Sequence, residues 1–123
     1  MKILSIDDSR AVRMFVKSAV DVLGFDFVEA KNGREALEFL KKEGVVDLIL
    51  LDWNMPEMDG MEFLKRVKDN PQYKNIPVTM VTTEIERHRV IQAIGNGAKN
   101  YVMKPFTQED IIGKIMESLG MGL

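Results

Sequence analysis

Asp7, Asp8, Asp52, Thr82 and Lys104 each end or follow a short apolar run, in runs that otherwise carry almost no charge. Carboxylates gathered in one pocket repel one another and retain protons unless a cation offsets their charge. A hard divalent ion with oxygen ligands does this, and Mg²⁺ suits a shallow, partly hydrated site better than an all-protein cage. Beside such an ion, ionised Asp52 can act as a nucleophile toward phosphorus. The ion and the Lys104 ammonium would neutralise the oxygens of a transferring phosphoryl group. The Thr82 hydroxyl can donate a hydrogen bond to that group once it is attached.

Taken singly, each residue has a plainer explanation. An Asp-Asp pair after a strand is often a solvated loop or a helix cap, and Asp8 or Ser9 can cap the helix that follows. Asp52 alone is a polar strand end. Thr82 fits a strand end or N-cap, Lys104 a surface lysine and Pro105 a turn former. Their coincidence at several strand ends is what these separate explanations leave unaccounted for.

The elements that must position them follow from two alternating periodicities. Apolar runs at Ile3–Ile6, Leu48–Leu51, Val78–Val81 and around Tyr101–Met103, with a weaker one at Phe27–Ala30, read as strands buried on both faces. Between them, Val12, Phe15, Val16, Ala19, Val20 and Leu23 make one helical stripe ending at Gly24. Ala36, Leu37, Phe39 and Leu40 mark a second helix, with Asn32 as N-cap and Gly44 just beyond its end. Met61, Phe63, Leu64 and Val67 mark a third, which ends before Asn70-Pro71. Val90, Ile91 and Ile94 predict a short fourth helix, and Ile111, Ile112, Ile115, Met116 and Leu119 a fifth. Strand and helix alternate throughout, which predicts an α/β fold with a parallel sheet, helices on both faces and right-handed crossovers. Ligands of such sheets gather outside the carboxyl ends of the strands, where the chemistry-bearing residues lie.

With 123 residues the chain has room for one core. Its net charge of 17 − 19 = −2 gives no basic field for nucleic acid. Cysteine is absent, which excludes disulfides, thiolate metal sites and cysteine nucleophiles. No apolar stretch approaches the roughly 18–20 residues that cross a bilayer, and no signal peptide precedes the first run. A cytoplasmic protein with no membrane partner is the expectation.

Ser-Ile-Asp-Asp-Ser, Leu-Ile-Leu-Leu-Asp-Trp-Asn-Met-Pro-Glu-Met-Asp-Gly, Val-Thr-Thr-Glu and Tyr-Val-Met-Lys-Pro-Phe together resemble the receiver domain of two-component response regulators. The resemblance covers the whole chain, 1–123, as one receiver domain. It implies a flavodoxin-like, doubly wound (βα)5 fold with strand order 2-1-3-4-5. It also implies that Asp52 is the phosphoacceptor, Asp8 a direct metal ligand, and Asp7 a ligand acting largely through water. The backbone carbonyl of Asn54 would complete the protein's share of the Mg²⁺ coordination. Thr82 resembles the switch hydroxyl, Lys104 the lysine that pairs with phosphoryl oxygens, and Tyr101 the aromatic switch residue. A cis Lys104–Pro105 bond is implied as well. Met55-Pro56 and Asp59-Gly60 match the loop that shapes the pocket.

Asn54 with Glu84, and Trp53 beside Asp52, resemble the single-domain, chemotaxis-type (CheY-like) receivers, in which the phosphoryl group is lost quickly. Thr83, Ser9, His88 and Arg89 depart from that pattern. The implied partners are a histidine kinase as donor, a phosphatase, and an output protein such as a flagellar motor switch or a phosphorelay phosphotransferase. The output face would be the fourth helix, fifth strand and fifth helix, including Arg87, Ala98, Lys99 and Lys114. A stand-alone monomer that catalyses only its own phosphorylation and dephosphorylation is the expectation. The alternatives are a sporulation-type relay intermediate or a phosphate sink. A Mg²⁺-dependent small-molecule phosphatase is less favoured, because such enzymes usually carry an acid where Asn54 stands. A flavin carrier on this fold needs a loop that binds phosphate, and Asp7-Asp8 would repel it.

Overall fold

The computed structural model describes residues 1–53, 55, 58–83, 86 and 88–121. Strands and helices alternate: β1 (Lys2–Ile6), α1 (Arg10–Val22), β2 (Asp26–Ala30), α2 (Gly33–Glu43), β3 (Leu48–Asp52), α3 (Gly60–Asp69), β4 (Val78–Thr83), α4 (Arg89–Gly95), β5 (Asn100–Lys104) and α5 (Gln108–Ser118). All five strands are parallel, in the order β2-β1-β3-β4-β5. This is the flavodoxin-like arrangement that the motifs implied.

Alternation along each strand sorts the core into two layers. Leu4, Ile6, Ile49, Leu51, Val78 and Met80 point to the side covered by α2, α3 and α4, where Ala36, Leu40, Phe63, Leu64, Val67 and Ala93 meet them. Ile3, Leu48, Leu50, Val81 and Val102 point to the other side, against Val16, Ala19 and Val20 of α1 and Ile111 and Ile115 of α5. Central strands β1 and β3 are therefore buried on both faces. The edge strands are not: β2 and β5 are largely half-buried, because each has a neighbour on one side only.

Local chemistry sets the helix ends. The Ser9 hydroxyl accepts from the Val12 N–H at 3.3 Å and starts α1. Asn32 caps α2 through the Glu35 N–H at 2.8 Å, and Asp59 caps α3 through the Glu62 N–H at 2.9 Å. Thr107 and Asp110 form a reciprocal capping box at α5. Gly24 follows α1 at φ 71° and Gly44 follows α2 at φ 95°, left-handed conformations that favour glycine.

The fourth helix differs from its expected stripe. Its buried residue is Ala93, while Ile91 is 80% and Ile94 45% exposed. In this seven-residue helix Ala93 is buried and Val90 half-buried, while Ile91 and Ile94 face outward. The fifth strand is one residue longer at each end than its apolar run, taking in Asn100 and Lys104.

One buried polar contact ties β4 to α5. The Thr79 and Ser118 hydroxyls lie 2.6 Å apart and are both fully enclosed. Ser118→Ala leaves the Thr79 hydroxyl buried without a partner, at a cost of about 1–3 kcal/mol. Urea unfolding is expected to show that loss, and to show part of it recovered when Thr79→Val is added. A Ser118→Ala protein as stable as the parent would contradict this role for the pair.

Candidate phosphoryl-transfer site

The carboxyl ends of the parallel strands converge on one edge of the sheet. Asp7 and Asp8 follow β1, Asp52 ends β3, Thr82 and Thr83 end β4, and Lys104 ends β5. In-register pairing of Asp52 with Val81 and of Thr83 with Lys104 brings these ends side by side. Carboxylate oxygens of Asp7, Asp8 and Asp52 all lie within 4.8 Å of one another. Lys104 reaches between two of them, with its Nζ 3.3 Å from Asp7 Oδ2 and 3.4 Å from Asp52 Oδ1. The Lys104–Pro105 bond is cis.

Asp7 is held from several directions. Its N–H donates to the Ala30 carbonyl at 3.1 Å, and its Oδ1 accepts from the Ser9 N–H at 2.9 Å. Its Oδ2 is buried and makes no hydrogen bond among the described residues, although the Lys104 ammonium is near. Asp8 is exposed at the rim, whereas Asp7 and Asp52 are almost fully enclosed. The cluster thus has one open side and one buried floor.

Burial and charge set the proton affinities. Asp52 is pushed up to about 7, first by burial and then by the Asp7 carboxylate, with the Lys104 ammonium only partly offsetting both. Burial also raises Asp7, against the Ser9 N–H and Lys104, which favour its ionised form. Burial alone would lower Lys104, but Asp52 and Asp7 more than compensate and hold the ammonium charged.

These features fit a hard divalent cation. Three carboxylates converge, one buried oxygen lacks a hydrogen-bond donor, and a single ammonium serves two acids. Asp7, Asp8 and Asp52 could hold such an ion through oxygen alone. Asn54 lies outside the described residues, as do Pro56, Glu84 and Arg87.

The remaining candidates lie on β4, on β5 and beside Asp52. The Thr82 hydroxyl is buried and donates to the Thr83 carbonyl over 3.4 Å. Tyr101 is half-buried, packs against the α2/α3/α4 core layer, and has the Lys114 ammonium 5.4 Å from its ring centroid. Shallow grooves flank it, one of about 270 Å³ toward Lys114 and one of about 560 Å³ toward His88, Val90 and Ile91. Trp53 is buried beside Asp52, and the Arg89 guanidinium lies 5.4 Å from its ring centroid. Gly60 closes this side. Its N–H donates to the Trp53 carbonyl at 3.0 Å, and a Cβ there would stand 2.7 Å from the Asp52 carbonyl oxygen. The motifs placed Gly60 in the loop that shapes the pocket but did not show this close approach, and they gave Arg13 no role. Glycine at 60 had a signal only in the Asp-Gly pair, and Arg13 had none.

Comparison with known proteins agrees with this fold. The family model described as "Response regulator receiver domain" matches residues 3–116. A chemotaxis protein CheY homolog of Campylobacter jejuni is 42% identical over 123 residues, spanning 99% of this chain and 95% of that protein. Chemotaxis protein CheY1 of Helicobacter pylori is 40% identical over 121 residues, spanning 98% of each. The solved structure of the chemotaxis response regulator CheY4 of Vibrio cholerae superposes with a TM-score of 0.89 at 36% identity, over 96% of this chain and 98% of that one.

The proton affinity of Asp52 has a consequence for stability without metal. Folded Asp52 retains a proton that the unfolded chain releases at its ordinary value of 3.8, so rising pH favours the unfolded chain until about 7. In a chelator, Asp52→Asn is expected to remove this contribution, so the mutant gains stability relative to the parent between pH 5 and pH 8. Urea unfolding at both pH values checks it. A mutant-minus-parent difference that stays constant or shrinks across that window would contradict the raised proton affinity.

Proposed function

The chain belongs to the response regulator receiver family, and on that premise we propose that Asp52 takes a phosphoryl group from a histidine kinase beside Mg²⁺ held by Asp7, Asp8 and Asp52. CheY-like receivers are signalling switches, and the relatives support chemotaxis-type two-component signalling. The observation that carries the residue assignment is Lys104 lying between Asp7 and Asp52, with a buried Asp7 oxygen still lacking a donor.

Each group has a part in the transfer. An Asp52 carboxylate oxygen attacks phosphorus, the bond to the donor's imidazole nitrogen breaks, and that nitrogen keeps the electron pair. Bound Mg²⁺ supplies positive charge against the phosphoryl oxygens and favours ionised Asp52. Lys104 is already charged and is placed to follow the same oxygens as they arrive. Trp53 and Gly60 wall the Asp52 side of the pocket. Return to the starting state needs water at phosphorus, which releases inorganic phosphate and restores the carboxylate. Asn54 and Glu84 are the positions proposed to tune that step.

The switch runs from Thr82 to Tyr101. Among the described residues the Thr82 hydroxyl has only a long bond to a neighbouring carbonyl, so a phosphoryl oxygen on Asp52 offers it a stronger acceptor. Its movement frees space for the half-buried Tyr101 ring, and the surface of α4, β5 and α5 changes with it. An output protein such as a flagellar motor switch would read that surface. Ile91, exposed on α4, lines one groove with Tyr101.

Trp53 is the sole tryptophan and adjoins Asp52, so its fluorescence reports on the site. A small phosphodonor with Mg²⁺ is expected to quench the parent, with recovery as the phosphoryl group hydrolyses, and to leave Asp52→Asn unchanged. An equal response in the mutant would sink the assignment. Steady release of phosphate from small metabolites would instead make the protein a phosphatase.

A further inference from the structure

Arg13 lies in the first part of α1 and grips the backbone of the carboxylate cluster. Its Nη1 donates to the Asp7 carbonyl oxygen at 2.6 Å, and its Nε donates to Glu29 Oε1 on β2, also at 2.6 Å. The arginine side chain is only 13% exposed, whereas Glu29 is 42% exposed. The Asp7 carbonyl belongs to the peptide unit that joins Asp7 to Asp8. The other side of Asp7 is fixed by its N–H on the Ala30 carbonyl, and its carboxylate by the Ser9 N–H. The exposed Asp8 carboxylate has no hydrogen bond of its own among the described residues. Its direction therefore depends on the peptide plane that Arg13 holds.

We propose that Arg13 is a positioning residue of the metal site: its guanidinium, aimed by Glu29, fixes the Asp7–Asp8 peptide so that both carboxylates face Asp52. This inference rests on reading the acidic cluster as a Mg²⁺ site. A planar fork can serve a carbonyl and a carboxylate at once, which a lysine ammonium does with poorer geometry. Groups that orient metal ligands from behind usually change affinity by tenfold or more when removed.

Two plainer roles make different predictions. If Arg13 acted only as a nearby positive charge, its removal would tighten Mg²⁺ binding by relieving repulsion. If it only stapled α1 to β2, its removal would lower the thermal midpoint and leave the Mg²⁺ affinity of the folded protein alone. Positioning predicts weaker binding.

The test is titration with MgCl₂, read by Trp53 fluorescence at a temperature where every variant is folded. Arg13→Met, which keeps the apolar stem, is expected to weaken Mg²⁺ binding about tenfold. Arg13→Lys, which keeps the charge and perturbs folding least, is expected to weaken it several-fold. Binding by Arg13→Lys that equals the parent, or tighter binding by Arg13→Met, would overturn the role. Asp8→Asn is the control for the underlying reading and is expected to abolish the response. If Asp8→Asn binds Mg²⁺ like the parent, the metal site itself is misassigned and the inference falls with it. If Asp8→Asn loses binding while both Arg13 variants keep it, the metal site stands and only the inference fails.

Discussion

Asp7, Asp8 and Asp52 place carboxylate oxygens within 4.8 Å of one another at one edge of the sheet, and Lys104 is the ammonium that bridges two of them. With all three acids ionised the pocket has an excess of negative charge, and its floor is shielded from water. Asp52 responds by holding its proton up to about 7, and one Asp7 oxygen stays without a hydrogen bond among the described residues. The site is thus incomplete without added positive charge. A divalent ion would relieve the repulsion, and a phosphoryl group would bring oxygens that both the ion and Lys104 could neutralise.

The fold supplies the rigidity that keeps this repulsion from pushing the acids apart. β1 and β3 are central strands buried on both faces, so Asp7 and Asp52 extend from the least deformable part of the sheet. The turn after β1 is tied by Ala30, Ser9 and Arg13. On the other side, β4 and β5 carry Thr82, Lys104 and Tyr101 toward the half-buried face next to α4. The centre of the sheet is therefore stiff where charge must be held. Its neighbour is thinly packed, with Ala93 alone buried on α4, where a change of shape must be expressed.

Much of this was legible in the residues. The central strands were plain because a strand buried on both faces leaves an uninterrupted apolar run, as Leu48–Leu51 does. Asp7, Asp8, Asp52, Thr82 and Lys104 stood out because polar groups ended those runs. The spacing of Val90, Ile91 and Ile94 located α4 but not its buried face: Ile91 and Ile94 face outward, and periodicity does not distinguish a core-facing stripe from an exposed one. Arg13 had no signal, since one of its partners is a backbone carbonyl and the other lies 16 residues away on a different strand. The capping box of α5 was present as Thr107 and Asp110 but lacked the Glu or Gln that usually marks it. The proton affinity of Asp52 depends on burial and on Asp7, Lys104 and Asp8 brought in from the ends of β1 and β5, which has no local signature.

The central claim is a covalent one, that an acyl phosphate forms on Asp52 and on no other residue. Borohydride reduces an aspartyl phosphate to homoserine, so brief exposure to a small phosphodonor, reduction and peptide mass mapping locate the bond. Homoserine at position 52, formed with Mg²⁺ and absent after chelation, is the result expected. Modification at another position, or the same yield at position 52 without any divalent ion, would contradict the proposed site.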